Sequence, residues 1–404
     1  MKRKLLIAVF ACLVVTVPVV SGVVSTVPAA ERKPALKIGA VFSVTGRASS
    51  LGLPEKNTAL MVAEQINQAE GINGYPVEVI LKDDESLPTA AENLVNGLIE
   101  QDKVLAIIGP STSDLSMTIR PITEAAKVPV VSCASAEAIV TPAQSYPYTF
   151  KVTQNDSHGA IRIIERLAGM NKRNIGILYE KSVFGRQGCD QLKKYAPDLG
   201  VTIVAEESFT SKETRMTEYL KRAGDAGSQA IVVWAVAPVQ TIIPKNARDM
   251  GITIPLFLSH AFGNPKYIEN AGDAAEGIVF PAGRILVADS LRKDHPQKEI
   301  LTRYKEDYEK KFGPVTTFGG HACDALRLVA KAVKDKNVGP DLDLITARQL
   351  IRDGLEQTKG WIGIAGEFTM SPEDHTGLHK DTSLEMCTIR GGKVVPLDTA
   401  VAGR

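Results

Sequence analysis

Short runs of apolar residues alternate along this chain with longer stretches in which apolar side chains return every three or four positions. The short runs read as strands and the longer stretches as amphipathic helices, because strand and helix faces repeat with those two periods. One series places strands at 36–42, 77–82, 104–108 and 128–132, with helices near 53–69, 89–101 and 115–126 between them. Gly71 is the expected stop for the first helix, and Asn73-Gly74 a turn into the next strand. A second series begins after Asn155, with strands at 175–179, 201–207, 230–235 and 255–259. Beyond Gly277 come a strand at 278–281, helices near 297–312 and 320–335, and a strand-rich tail over 366–395. Such alternation builds parallel sheets with crossover helices, and two series in 404 residues imply two lobes. No long Pro, Gly or Ser tract separates the series, so short extended crossings are expected to join the lobes.

The first 29 residues depart from this pattern. Lys2, Arg3 and Lys4 precede an apolar run from Leu5, followed by small residues Val27, Pro28, Ala29 and Ala30. That order is a secretory signal, with cleavage expected after Ala29. Two other readings of the segment are an uncleaved anchor, which Pro18 and Gly22 interrupt, and lipidation at Cys12. After cleavage four cysteines remain, Cys133, Cys189, Cys323 and Cys387, either paired as disulfides or buried as free thiols. None lies in a C-x-x-C arrangement that would suggest metal or redox work. Basic and acidic residues balance at 47 and 46, which gives no basic excess for reading phosphates and argues against nucleic acid as a partner.

Catalytic signatures are missing: there is no G-x-S-x-G elbow, Walker A loop, H-E-x-x-H helix or G-x-G-x-x-G turn. Asp83, Asp84 and Glu85 could be a carboxylate cluster for a hard cation. Consecutive strand residues point to opposite faces, however, so the structural reading is a turn leading into the helix that Pro88 opens. No catalytic residue, metal or cofactor is therefore assigned.

Residues 38–52 (IGAVFSVTGRASSLG), then Ile66, Asn67 and 70–75 (EGINGY), resemble the N-terminal motif of the periplasmic branched-chain amino acid binding proteins. Further matches follow in order: 82–85 (KDDE), 107–113 (IIGPSTS), 128–132 (VPVVS), 178–185 (LYEKSVFG), 274–279 (AAEGIV), then Asp324 and Ala325. The resemblance covers essentially the whole mature chain. It implies a type I periplasmic binding fold, α/β in class, with two doubly wound parallel-sheet lobes joined by three hinge crossings. The corresponding division is a signal peptide at 1–29, a first lobe of 36–153 plus 282–358, and a second of 154–281 plus 359–404. It implies a periplasmic solute-binding protein that closes on a small ligand and delivers it to an ABC permease and its ATPase, meeting the membrane only through that permease. A ligand-sensing receptor subunit of the same fold is the alternative; an exported enzyme is a third class.

The resemblance also implies a site. Ser113 matches the family's carboxylate-binding Ser, set at a helix start that suits anions; a capping role is its structural alternative. Family backbone and Thr contacts fall at Ala134, Ser135 and Ala136, so the Thr is lost. Phe184 replaces a frequent Tyr, which keeps an aromatic wall without the phenol. The family's ammonium-pairing acid falls at His260, which cannot neutralise a cation. Trp234 is expected to add an aromatic face, and Arg47 and Leu51 to border the first-lobe side, with Arg47 as a second anion contact. The expected ligand is a small carboxylate, an organic or aromatic acid or an amino acid, without an obligatory ammonium group.

Overall fold

The computed structural model describes residues 33–236 and 238–397. The expected signal peptide and its cleavage point lie outside these residues. Among them, no helix is long and apolar enough to cross a membrane.

The first sheet is built from β1 (Leu36–Phe42), β2 (Val77–Asp83), β3 (Ala106–Ile108), β4 (Val130–Ser132) and β5 (Thr149–Lys151), in the order β2-β1-β3-β4-β5. All its pairs are parallel. Helices α1 (Ser49–Gln68), α2 (Pro88–Glu100) and α3 (Ser113–Ala125) connect its strands. Alternate strand positions feed two cores, Ile38, Ala40 and Phe42 into one and Val41 and Ile107 into the other. That alternation is why the strands read as near-continuous apolar runs. Helix α1 starts four residues before the expected position, with Pro54 inside its early turns. Gly71 adopts φ +74° just after it, and Asn73-Gly74 form a tight turn with Ile72 and Tyr75 bonded both ways.

The second sheet holds β6 (Asn174–Glu180), β7 (Thr202–Phe209), β8 (Ala230–Trp234), β9 (Leu256–Leu258) and β10 (Val279–Ala282), all parallel. Its helices are α4 (Asp156–Gly169), α5 (Val183–Tyr195), α6 (Thr217–Asp225), α7 (Val239–Asp249) and α8 (Pro265–Ala271). The chain then returns to the first sheet with α9 (Lys298–Phe312), α10 (Thr317–Asp335) and α11 (Leu344–Glu356), which bury apolar faces in the first core. A short ribbon of β11 (Trp361–Ile362) and β12 (Glu367–Phe368) and the single turn α12 (Lys380–Ser383) follow. Last come β13 (Glu385–Arg390) and β14 (Lys393–Pro396), an antiparallel hairpin that completes the order β14-β13-β10-β9-β8-β6-β7.

Two expectations change. The second sheet is parallel over β10-β9-β8-β6-β7, and the β13–β14 hairpin adds antiparallel strands at one edge. Residues 359–382 were expected in the second lobe, but Ile364, Ala365, Phe368, Met370 and Leu378 pack in the first core. Asp324 on α10 anchors them, its carboxylate accepting the N–H groups of Ile364 and Ala365 at 2.7 Å each. Only β13 and β14 cross to the second sheet.

The crossings are tied by buried charge. Lys151 donates to the carbonyls of Ser135 and Thr153 at 3.0 Å and of Gln154 at 3.2 Å. Burial lowers its pKa to about 8, opposed by Asp156. Arg284, just past β10, pairs with Glu385 at 2.8 Å and bonds the Thr382 carbonyl, which joins two crossings to each other. The four remaining cysteines are free and buried, so the thiol reading holds for them.

Candidate functional site

In both sheets the carboxyl ends of the strands run into loops that line one cavity between the lobes. Arg47 follows β1, Ser111 follows β3 and Cys133 follows β4; opposite them Ser182 follows β6, Val236 follows β8 and His260 follows β9. This is the usual ligand position in open α/β sheets.

On the first-lobe side, Thr112 caps α3 by accepting the Leu115 N–H, at 3.4 Å, so the capping role considered for Ser113 belongs to its neighbour. Ser113 is the first helical residue, 3% exposed, and its Oγ accepts the Ala136 N–H at 3.3 Å. With Thr112 and Asp114 it brings the N-terminal end of this 13-residue helix, the positive end of its dipole, to the cavity. Behind it Ser111 donates to Glu55 and accepts the Ser43 N–H at 3.0 Å. Burial pushes the Glu55 pKa well above its ordinary value, opposed by the Ser111 bond and helped by Asp84. The next loop is pinned in turn: Ala134 N–H donates to Ser132 Oγ at 3.1 Å and the Ala134 carbonyl accepts from Thr153. Asp83 and Asp84 form the expected turn, accepting from Thr45 and Glu85 and from Ser43 and Ser86 respectively. No metal-holding group of side chains occurs among the described residues.

On the second-lobe side three rings stack into a corner. Phe184 meets His260 edge-on at 5.3 Å, and Trp234 meets His260 at 5.7 Å and Phe184 at 5.8 Å. Phe184 and His260 line the cavity. Trp234 does not: it is fully buried behind them, pressed against Gly188 of α5, so it supports the wall instead of forming it. His260 Nε2 pairs with Ser135 Oγ of the other lobe at 3.0 Å. Burial, helped by His321 and Lys151, lowers the His260 pKa to about 3, and the imidazole is neutral.

Other bonds also join the lobes across the cleft. Arg47 reaches Glu180 at 3.0 Å, Val183 N–H donates to Asp114 at 3.0 Å, and Ser50 pairs with Tyr267 at 2.5 Å. Arg47 thus lines the cavity with its guanidinium committed to a carboxylate at the rim, where a second anion contact had been expected. The cavity holds about 40 Å³, room for a few waters only.

Of the expected residues, Arg47, Leu51, Ser113, Ala134, Ser135, Phe184 and His260 come together around this cavity, while Trp234 and Ala136 stand behind it. Sequence reasoning missed Gln154, Ser182, Phe318 and His321, which also line it. The signal at His321 is a polar ring among small residues on the apolar face of α10, beginning Thr-Phe-Gly-Gly-His-Ala. Gln154 carried no signal beyond its place at a crossing.

Comparison with known proteins agrees with this geometry. A family model described as periplasmic binding protein matches residues 35–386. The leucine-, isoleucine-, valine-, threonine- and alanine-binding protein of Pseudomonas aeruginosa is 24% identical over 303 residues, 74% of this chain and 78% of the relative. An extracellular ligand-binding receptor from Rhodopseudomonas palustris HaA2 superimposes with a TM-score of 0.84 at 25% identity, over 90% of this chain and 100% of the other. A solute binding protein of an ABC transporter from Rhodopseudomonas palustris BisB5, solved with 3,4-dihydroxy benzoic acid, has a TM-score of 0.75 at 21% identity, over 90% and 95% of the two chains.

Proposed function

This chain belongs to the periplasmic binding protein family, and from that membership we propose that it is the extracytoplasmic solute-binding component of an ABC transporter, capturing a small carboxylate by hinge closure. It is a binding protein and not an enzyme, as its relatives are. The observation that carries the reading is the bond between Ser135 and His260, one residue from each lobe, across a cavity that Ser113 and the start of α3 also line. In this reading a ligand enters between open lobes, its carboxylate meets the Ser113 hydroxyl and the amides of α3, and closure brings Phe184 and His260 over its body. Closure excludes water and strengthens those polar contacts. The closed form is what an ABC permease and its ATPase would accept. Residues 1–29 act as the export signal, and N-terminal sequencing of exported protein should begin at Ala30; a start at Met1 would count against export with cleavage.

An acid without an α-ammonium group fits best, because His260 is neutral and the buried ammonium of Lys151 repels a second cation. A second reading, an amino acid ligand, is favoured by Asp114, a carboxylate lining the same cavity, and by the amino acids named for the Pseudomonas aeruginosa relative. Calorimetric titration separates the two. Leucine, isoleucine and valine are compared with their deaminated keto acids and with benzoate and 4-hydroxybenzoate. Tight binding confined to the amino acids would overturn the preferred reading.

A further inference from the structure

The polar groups around the cavity are almost all committed. Ser111 serves Glu55 and Ser43, Thr112 caps Leu115, Ser113 accepts Ala136 N–H, and Ser135 holds His260. Thr153 donates to Ala134, Ser182 accepts Gly185 N–H at 3.1 Å, Asp114 accepts Val183 N–H, and Arg47 pairs with Glu180. Besides His260 Nδ1, which is buried without a partner, two side chains stand apart. Gln154 is 4% exposed, and its side-chain amide has no hydrogen-bond partner among the described residues. His321 is 6% exposed, and neither ring nitrogen has a hydrogen-bond partner among them, Nδ1 being fully buried. Buried polar side chains are overwhelmingly paired in native proteins, so two unpaired ones lining one small cavity require a cause.

We infer that Gln154 and His321 form a second polar subsite, which takes an uncharged hydroxyl carried on the body of the bound acid. The inference rests on the carboxylate reading of the cavity and adds what the rest of the ligand must present. A hydroxyl both donates and accepts, and so matches a side-chain amide and a neutral imidazole, each of which does the same. A cationic group is disfavoured on two grounds: the buried Lys151 ammonium lies close by, and burial holds His321 neutral with its pKa lowered to about 3. A second carboxylate is disfavoured because the three donors of Lys151 are spent on the carbonyls of Ser135, Thr153 and Gln154, leaving it none to offer. Gln154 is held in place by this arrangement, since its own carbonyl is one of the three. Its side chain is thus presented from a fixed backbone at the first crossing. His321 is presented from α10, a 19-residue helix packed in the first core, with the ring of Phe318 at 6.3 Å beside it. Both supports are rigid, as a specificity subsite requires.

A site built to bond a hydroxyl rejects the analogue lacking it, because its own buried groups then stay unpaired. The test is calorimetry on the mature protein with benzoate, 3-hydroxybenzoate and 4-hydroxybenzoate. At least one hydroxylated acid should bind roughly tenfold or more tightly than benzoate. Gln154→Leu and His321→Phe should each remove most of that preference while leaving benzoate affinity within about threefold of the wild type. His321→Gln, which keeps a hydrogen-bonding group near the Nε2 position, the ring nitrogen not closed off by packing, should retain it, and thermal melts establish that each variant is folded. Equal affinity for benzoate and both hydroxylated acids, or a preference that survives both apolar substitutions, overturns the subsite alone. Failure of benzoate, the hydroxybenzoates and the keto acids alike overturns the carboxylate reading and the subsite with it.

Discussion

Ser113 illustrates how much one side chain at a helix start can do. Its Oγ accepts the Ala136 N–H, and under the proposed function its hydroxyl would donate to the bound carboxylate. A hydrogen bond to a charged group contributes about 1.5–3 kcal/mol. Ser113→Ala is therefore expected to raise the Kd of a bound acid roughly tenfold or more, read by calorimetry. An unchanged Kd would move the carboxylate elsewhere. His260 gives a prediction of a different kind. Its pKa falls from an ordinary 6.5 to about 3 on folding, so below pH 6.5 the unfolded chain binds a proton that the folded chain refuses. Stability from this group is complete above pH 6.5 and is lost as pH falls toward 3, amounting to about 2 kcal/mol at pH 5. Asp324, raised to about 7 by burial, acts in the opposite sense over part of the same window, so the comparison must be between variant and wild type. Urea denaturation at pH 7.5 and pH 5 should show His260→Gln losing about 2 kcal/mol less than wild type between the two. Equal losses would mean the ring is not held neutral. At this scale the sequence was readable where a residue sits at a strand end beside a motif, as with Ser113 and His260. Gln154 and His321 were not readable, because burial without a partner is a property of three-dimensional packing and leaves no mark on spacing.

Among the elements, α5 and β8 control the second-lobe wall. A Cβ at Gly188 would lie 2.2 Å from the Trp234 ring, so the helix approaches the indole as closely as a glycine allows. Gly188→Ala must push Trp234 and α5 apart, and overpacking of this sort costs about 1–3 kcal/mol. Because α5 carries Phe184 and Trp234 backs His260, acid binding should weaken along with stability; a melt and a titration on the same sample test both. A variant with wild-type values in both would show that the wall adapts freely. Strand–helix periodicity located most of the helices and the parallel strands. The family resemblance had put the segment around β11 and β12 in the second lobe; periodicity could not place it, because its apolar residues look alike whichever core receives them. What decides their place is Asp324, some forty residues earlier on α10, accepting the N–H groups of Ile364 and Ala365. Arg284 and Glu385 similarly fix where the chain crosses, through a pairing that no local pattern announces.

For the molecule as a whole, two sheets that each bury both faces act as stiff bodies, and the crossings held by Lys151 and Arg284 set the axis between them. The cross-cleft contacts include polar bonds, among them Arg47 with Glu180, Ser50 with Tyr267, Asp114 with Val183 and Ser135 with His260, and the packing of Val183 on the Ala134–Val140 cluster. Single hydrogen bonds contribute about 1 kcal/mol each, so under the proposed function such contacts would bias closure without locking it. In the proposed capture a ligand would tip the balance by bonding both lobes at once. Small-angle X-ray scattering with and without a saturating concentration of the tightest-binding acid from the titrations measures this directly. The account predicts a smaller radius of gyration in the presence of the acid, whereas an unchanged radius at saturation would contradict capture by closure.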